Sequence, residues 1–148
     1  MTHAFTNLNY HIVFSTKDFQ PIIDPEWKDR LYEYLGGVIR GLRGICIEIN
    51  GMPDHIHSLV RLHQDMPIST FLEKLKSNST GWVKRMLDNK FAWQIGYGAF
   101  SVSEFRMEKV RQYIRNQAEH HQKKTFEEEF IELLEAHHIE FDRKYLFK

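Results

Sequence analysis

The chain has one cysteine, Cys46, so it has no route to an intrachain disulfide, and a reducing compartment is expected. It has no net charge either, with 20 Lys and Arg against 20 Asp and Glu, so overall charge does not announce a nucleic-acid partner. A local basic patch would have to supply one. No apolar run reaches membrane-spanning length, and Met1-Thr2-His3-Ala4-Phe5 opens no signal-peptide core. Internal repeats, low-complexity tracts and domain boundaries are also missing. These absences leave a cytoplasmic protein folded as one domain over residues 1–148, with no membrane partner.

What is present is a well-patterned globular sequence, 42% hydrophobic and 14% aromatic, with nine histidines that make its charge sensitive to mild acid. Tyr10, Ile12 and Phe14 alternate with His11 and Val13 in a first strand, about Asn9 to Thr16. Asp24 can cap a helix with Pro25 at its first position, and Trp27, Leu31, Tyr34, Leu35, Val38 and Leu42 recur at helical spacing. Ile45, Ile47 and Ile49 alternate in a second strand. Asn50-Gly51 is a turn signal, so that strand should pair antiparallel with the next. A second helix is expected from Ser69 to Leu87, with Phe71, Leu72, Leu75, Trp82, Val83 and Met86 inward. A short fourth strand, Ala99–Ser103, precedes a third helix capped near Ser103 and running to about Lys123. Thr125 and Glu128 have the spacing of a capping box for a further helix with Phe126, Phe130, Leu133 and Leu134 inward. Tyr145 and Phe147 should pack back onto the body.

The order β-α-β-β-α-β followed by helices predicts an α+β fold: a ferredoxin- or RRM-like four-stranded antiparallel sheet with helices on one face. The other face should be free.

Pro53-Asp54-His55-Ile56-His57 opens the third strand. Alternate strand side chains share a face, so His55 and His57 point the same way, roughly 7 Å apart. Two neutral imidazoles so placed suit one divalent cation, although exposed histidines on a half-buried strand look the same in sequence. In the third helix Met107, Val110, Ile114 and Ala118 form an apolar stripe, with Tyr113 and Gln117 one turn apart at its border. Tyr113 reads as a nucleophile beside a metal held in part by Gln117, or as an ordinary border tyrosine. His120 and His121 compete as ligands, or belong to a polar helix end.

Three blocks carry a resemblance: Pro-Asp-His-Ile-His at 53–57, Trp-Gln-Ile-Gly-Tyr-Gly-Ala-Phe-Ser-Val-Ser at 93–103 and Tyr-Ile-Arg-Asn-Gln at 113–117. Together with the opening His11-Ile12-Val13-Phe14-Ser15-Thr16-Lys17 they resemble the single-tyrosine HUH transposases of small bacterial insertion sequences, which include REP-associated tyrosine transposases. The resemblance implies that His55, His57 and Gln117 hold Mg²⁺ or Mn²⁺ against a scissile phosphate of single-stranded DNA. It implies that Tyr113 attacks the phosphorus, leaving a 5′-phosphotyrosine and a free 3′-OH. It also implies a homodimer with sites completed in trans, and recognition of DNA hairpins, for which Lys74, Asn78 and Arg85 on one face of the second helix are candidates. Two other readings stand beside it: a non-catalytic single-stranded nucleic-acid-binding module using an open sheet face, and a metal-dependent phosphodiesterase using water.

Overall fold

The computed structural model describes residues 3–146. Four strands, β1 (Leu8–Ser15), β2 (Ile45–Met52), β3 (His55–Leu62) and β4 (Gly98–Ser101), form one antiparallel sheet in the order β2-β3-β1-β4. Helices α1 (Lys28–Gly41) and α2 (Ile68–Met86) make the two crossovers, giving the expected βαββαβ arrangement. After β4 come α3 (Met107–Arg115), α4 (Gln117–His120), α5 (Phe126–Ala136) and α6 (Arg143–Leu146).

The main core lies between the sheet and α1–α2. Ile12 and Phe14 of β1, Ile56 and Val60 of β3, Leu31, Leu35 and Ile39 of α1, and Phe71, Leu72 and Leu75 of α2 meet there with almost no exposure. Each such side chain contributes about 1.5–3 kcal/mol through its burial. Met86, expected in this stripe, is the last residue of α2 and is 57% exposed.

The opposite face is not free. Val13 and Phe100 on that face pack with Phe126, Phe130 and Leu134 of α5, and Leu59 packs with Met107 and Ile114 of α3. The apolar stripes of the C-terminal helices need a surface to cover, and this face supplies it. His55 and His57 do lie on this face, but beneath the helices and with no exposure.

Three local details depart from the expected pattern, and each has a cause. The β2–β3 turn is at Pro53-Asp54, not Asn50-Gly51, because Gly51 pairs with Ile56 inside the ladder. A Cβ at Gly51 would stand 2.2 Å from the His55 carbonyl oxygen, so glycine serves close strand approach here. The β2 register shifts between Cys46 and Glu48, so Cys46 and Ile49 join the main core and Ile47 packs on the α3 side. This bulge breaks the simple alternation of Ile45, Ile47 and Ile49, leaving Ile45 54% exposed. α1 starts at Lys28, after a turn in which Asp24 Oδ1 accepts the Glu26 N–H at 2.8 Å.

The expected long third helix is broken at Asn116 (φ −93°, ψ 24°). Asn50 Nδ2 donates to the carbonyl oxygens of Ile114 (3.0 Å) and Arg115 (3.1 Å), which an unbroken helix would offer to the amides of Ala118 and Glu119. The break turns Gln117 inward, with no exposure, while Ala118 faces out. Ser103 precedes a 3₁₀ turn over 104–106 but makes no side-chain cap. The Thr125–Glu128 capping box forms as expected. At the C-terminal end Phe141 and Leu146 pack against the α5 cluster while Tyr145 is 61% exposed; Phe147 lies outside the described residues. Among the described residues no helix is long and apolar enough to cross a membrane.

Candidate functional site

The site is built where β3, β1 and helices α3, α4 and α5 meet. The strand pleat directs His55 and His57 toward α3–α5, and the β1 pairing sets Val13 opposite His57 and His11 opposite Leu59. His11 therefore joins the same face. Its Nε2 lies 2.8 Å from His57 Nδ1, with the two rings stacked 5.0 Å apart.

α3 brings the Tyr113 ring edge-on to His11 and His57, with centroids 6.0 and 5.8 Å away. The break at Asn116 sets Gln117 Oε1 2.9 Å from His55 Nε2. From α5 the carboxylate of Glu129, 1% exposed, enters the centre. Its Oε1 lies 3.0 Å from His57 Nε2, 3.0 Å from His121 Nε2 and 3.4 Å from His55 Nε2. Its Oε2 accepts hydrogen bonds from the Tyr113 hydroxyl and from Gln117 Nε2, the latter at 3.1 Å.

The four residues singled out as catalytic or metal-binding, Tyr113, His55, His57 and Gln117, are thus brought together within one chain. Lys74, Asn78 and Arg85 are not brought to them. All three are exposed on α2, across the sheet from the histidines. Of the two competing histidines, His121 enters the cluster. The His120 ring instead lies 4.6 Å from the Tyr113 ring, and its buried Nε2 has no hydrogen-bond partner among the described residues.

Sequence reasoning missed Glu129, His11 and Asp54, whose Oδ1 lies 2.7 Å from His55 Nδ1. For Glu129 a signal was available. Positions 126, 129, 130, 133 and 134 are i, i+3, i+4, i+7 and i+8, so a carboxylate occupies one place of a stripe that is otherwise apolar. A buried acid at a core position calls for partners.

Charge and burial oppose each other here. Burial drives the Glu129 carboxyl up, yet the hydrogen bonds of His121 and His57, the charge of His57 and the Tyr113 bond outweigh it and hold it far below the usual carboxylate range. Burial pulls His57 down to about 4, more than its bond to Glu129 restores. Burial and the neighbouring His57 also lower His11. For His121 burial is offset by the Glu129 bond and charge, and the net shift is upward. Burial and the adjacent Glu129 charge both push the Tyr113 phenol up. Without a counter-charge, the tyrosine is held as a neutral hydroxyl.

The donor chemistry fits a divalent cation. Ligand atoms of His55, His121 and Glu129 lie within 4.8 Å of one another, and Gln117 adds an amide oxygen. Imidazole, carboxylate and amide oxygen together suit a hard to borderline ion of octahedral habit, such as Mg²⁺ or Mn²⁺. Beside Tyr113 opens a cleft of about 330 Å³ lined by His11, Ser103, Arg106, Lys109 and His137, so two cationic side chains share a cleft with the tyrosine.

Residues 4–117 match the family model described as "Transposase IS200 like". The chain is 27% identical over 126 residues to the transposase for insertion sequence element IS200 of Salmonella typhimurium, covering 80% of this chain and 82% of that one. It is 28% identical over 119 residues to the ISDra2 transposase TnpA of Deinococcus radiodurans, covering 74% and 84%. Two solved structures share the fold. One is a transposase of Deinococcus radiodurans R1 (TM-score 0.66, 23% identity, 79% of this chain and 95% of that one). The other is a REP-associated tyrosine transposase bound to a REP hairpin (TM-score 0.63, 13% identity, 82% and 72%).

Proposed function

Since this chain belongs to the family of IS200-like transposases, we propose that it cuts and rejoins single-stranded DNA through a covalent bond between Tyr113 and a 5′-phosphate. The observation that carries this reading is the convergence of Tyr113, His55, His57 and Gln117 on one buried carboxylate. In the reaction Tyr113 Oη bonds to phosphorus while the bond from phosphorus to the 3′ oxygen breaks, releasing a 3′-OH. The phosphotyrosine ester keeps the phosphodiester's energy, so a later 3′-OH can reverse the step without a nucleotide cofactor.

Residues of the chain account for the remaining needs. The Tyr113 proton already points at Glu129 Oε2, which stands where that proton must go. His55, His57 and Gln117 would hold Mg²⁺ or Mn²⁺. When bound, the cation supplies Lewis-acid polarisation of the phosphate and a counter-charge for the developing phenolate. Arg106 and Lys109 line the cleft beside Tyr113 and suit the phosphates flanking the cut. Lys74, Asn78 and Arg85, on the far side of the sheet, are assigned to a more distant part of the DNA such as a hairpin stem.

The bonds that join Tyr113 and Gln117 to Glu129 and His55 lie within one chain, which supports a site assembled in cis. A homodimer in which the tyrosine helix crosses to its partner's histidines would have to break these bonds. A binding module of the open-sheet kind is disfavoured because α3 and α5 cover the face it would use.

The test is a denaturing gel of the protein with Mn²⁺ and end-labelled single-stranded DNA from the flanks of its own gene, beside Tyr113→Phe. Label that migrates with the protein and vanishes in the variant supports strand transfer. Cleavage that persists in the variant supports hydrolysis by water and refutes the tyrosine. Metal-independent binding with no cleavage refutes both enzymatic readings.

A further inference from the structure

The ring nitrogens of two histidines are committed in a way that bears on the cation. His55 Nδ1 lies 2.7 Å from Asp54 Oδ1, and His121 Nδ1 lies 2.9 Å from the carbonyl oxygen of Lys124. Carboxylate and carbonyl oxygens accept hydrogen bonds, so each Nδ1 carries the proton. A neutral imidazole protonated there has a lone pair at Nε2, the arrangement that fixes histidine as a metal ligand.

Both Nε2 atoms face acceptors. His55 Nε2 lies 2.9 Å from Gln117 Oε1 and 3.4 Å from Glu129 Oε1. His121 Nε2 lies 3.1 Å and 3.0 Å from the same two oxygens. The Gln117 oxygen is fixed as the inward atom because its Nε2 donates to Glu129 Oε2 at 3.1 Å. When both histidines are neutral, four lone-pair atoms, one of them on the Glu129 carboxylate, converge with no proton to share. A single positive ion at their centre relieves all four repulsions at once. Their separations, 2.9 to 3.4 Å, are also the edges of an octahedron whose bonds are about 2.1–2.4 Å long, the range for Mg²⁺-like and larger hard cations.

We propose that His121 and Glu129 join His55, His57 and Gln117 as ligands of the divalent cation, and that the second oxygen of Glu129 ties that cation to the Tyr113 hydroxyl. The proposal rests on the metal-assisted tyrosine reading above and extends its ligand set. Both added residues lie beyond Gln117, where the match to the family model ends. Glu129 is positioned by α5, which docks through Phe126, Phe130 and Leu134, with the Phe126 ring stacked on His55 at 4.4 Å, and His121 stands at the C-terminal end of α4. The C-terminal segment in this view supplies two ligands of the metal centre, and one carboxylate couples cation binding to the aim of the nucleophile.

The experiment is calorimetric titration of Mn²⁺ alone into the metal-free full-length chain, comparing wild type with Glu129→Gln and His121→Gln. Each variant should bind at least about 10-fold more weakly, the scale of losing one oriented donor or its support. Unchanged affinity in both overturns the ligand assignment and leaves the strand-transfer reading standing, since the Tyr113 gel tests that separately. Tighter binding by Glu129→Gln also overturns it, because the carboxylate would then be occupying the cation's place. No Mn²⁺ binding by the wild type overturns the inference together with the metal part of the reading beneath it. Should a variant not fold, nitrogen NMR of ¹⁵N-labelled wild type decides. His121 should carry its proton on Nδ1 and shift at Nε2 when Mg²⁺ is added, and an Nε2 signal blind to Mg²⁺ refutes the proposal.

Discussion

The buried histidine cluster should make the metal-free protein sensitive to mild acid. His57 has no exposure and its pKa falls from 6.5 to about 4 in the folded state, chiefly through burial. Between those values the unfolded chain takes up a proton that the folded chain refuses, so stability is lost as pH falls from about 6.5 toward 4. At pH 5 this one group costs about 2 kcal/mol relative to pH 7.5, from the shift at ~1.4 kcal/mol per pKa unit. His11, also lowered by burial, acts in the same direction. His121 acts in the opposite one, since its raised value adds stability that is present below 6.5 and lost as pH rises. Glu129, held low, stays ionised throughout this window. The assay is urea unfolding with a chelator at pH 7.5 and 5.0, for wild type and His57→Gln. The loss on acidification should be smaller in the variant by about 2 kcal/mol. If the variant loses as much as the wild type, His57 is not the buried neutral group described here.

Three further perturbations follow from the fold. Asn50→Ala removes both donors to the Ile114 and Arg115 carbonyls and should cost about 1–2 kcal/mol; it should also let the helix run through Asn116 and turn Gln117 out, visible as weaker Mn²⁺ binding, and wild-type affinity would refute that link. Gly51→Ala sets a Cβ 2.2 Å from a backbone oxygen that cannot move alone, so a loss of about 3 kcal/mol or more is expected; a melting temperature within about 2 °C of wild type would show that the hairpin yields. Mixing His55→Ala with Tyr113→Phe protein should not restore covalent cleavage if the site is assembled in cis, whereas recovered activity would establish exchange of the tyrosine helix between subunits.

Much of the architecture was legible from local pattern. Alternation in β1 and β3, helical spacing in α1 and α2, and the Thr125–Glu128 box each depend on residues a few positions apart, and each formed. The His55–His57 pair shared a face because the strand pleat has no other option. Tyr113 and Gln117 also met, though by a different route: the helix joining them breaks between the two. What the sequence by itself determined, then, was the order of the elements, the two-sidedness of β3 and the residues able to do chemistry.

The tertiary structure decided the rest. Asn50 reads as a turn former until its amide meets the carbonyls of Ile114 and Arg115, 64 and 65 residues away. The sheet face reads as open until α3 and α5 need it to bury their stripes. Glu129 falls on the inward stripe of α5 by its spacing, but only docking of α5 brings it the His57 and His121 rings that partner it. The physical reason is the same in each case. Periodicity fixes which way a side chain points along its own element, but its charge state and role depend on groups that only folding brings within about 3 Å.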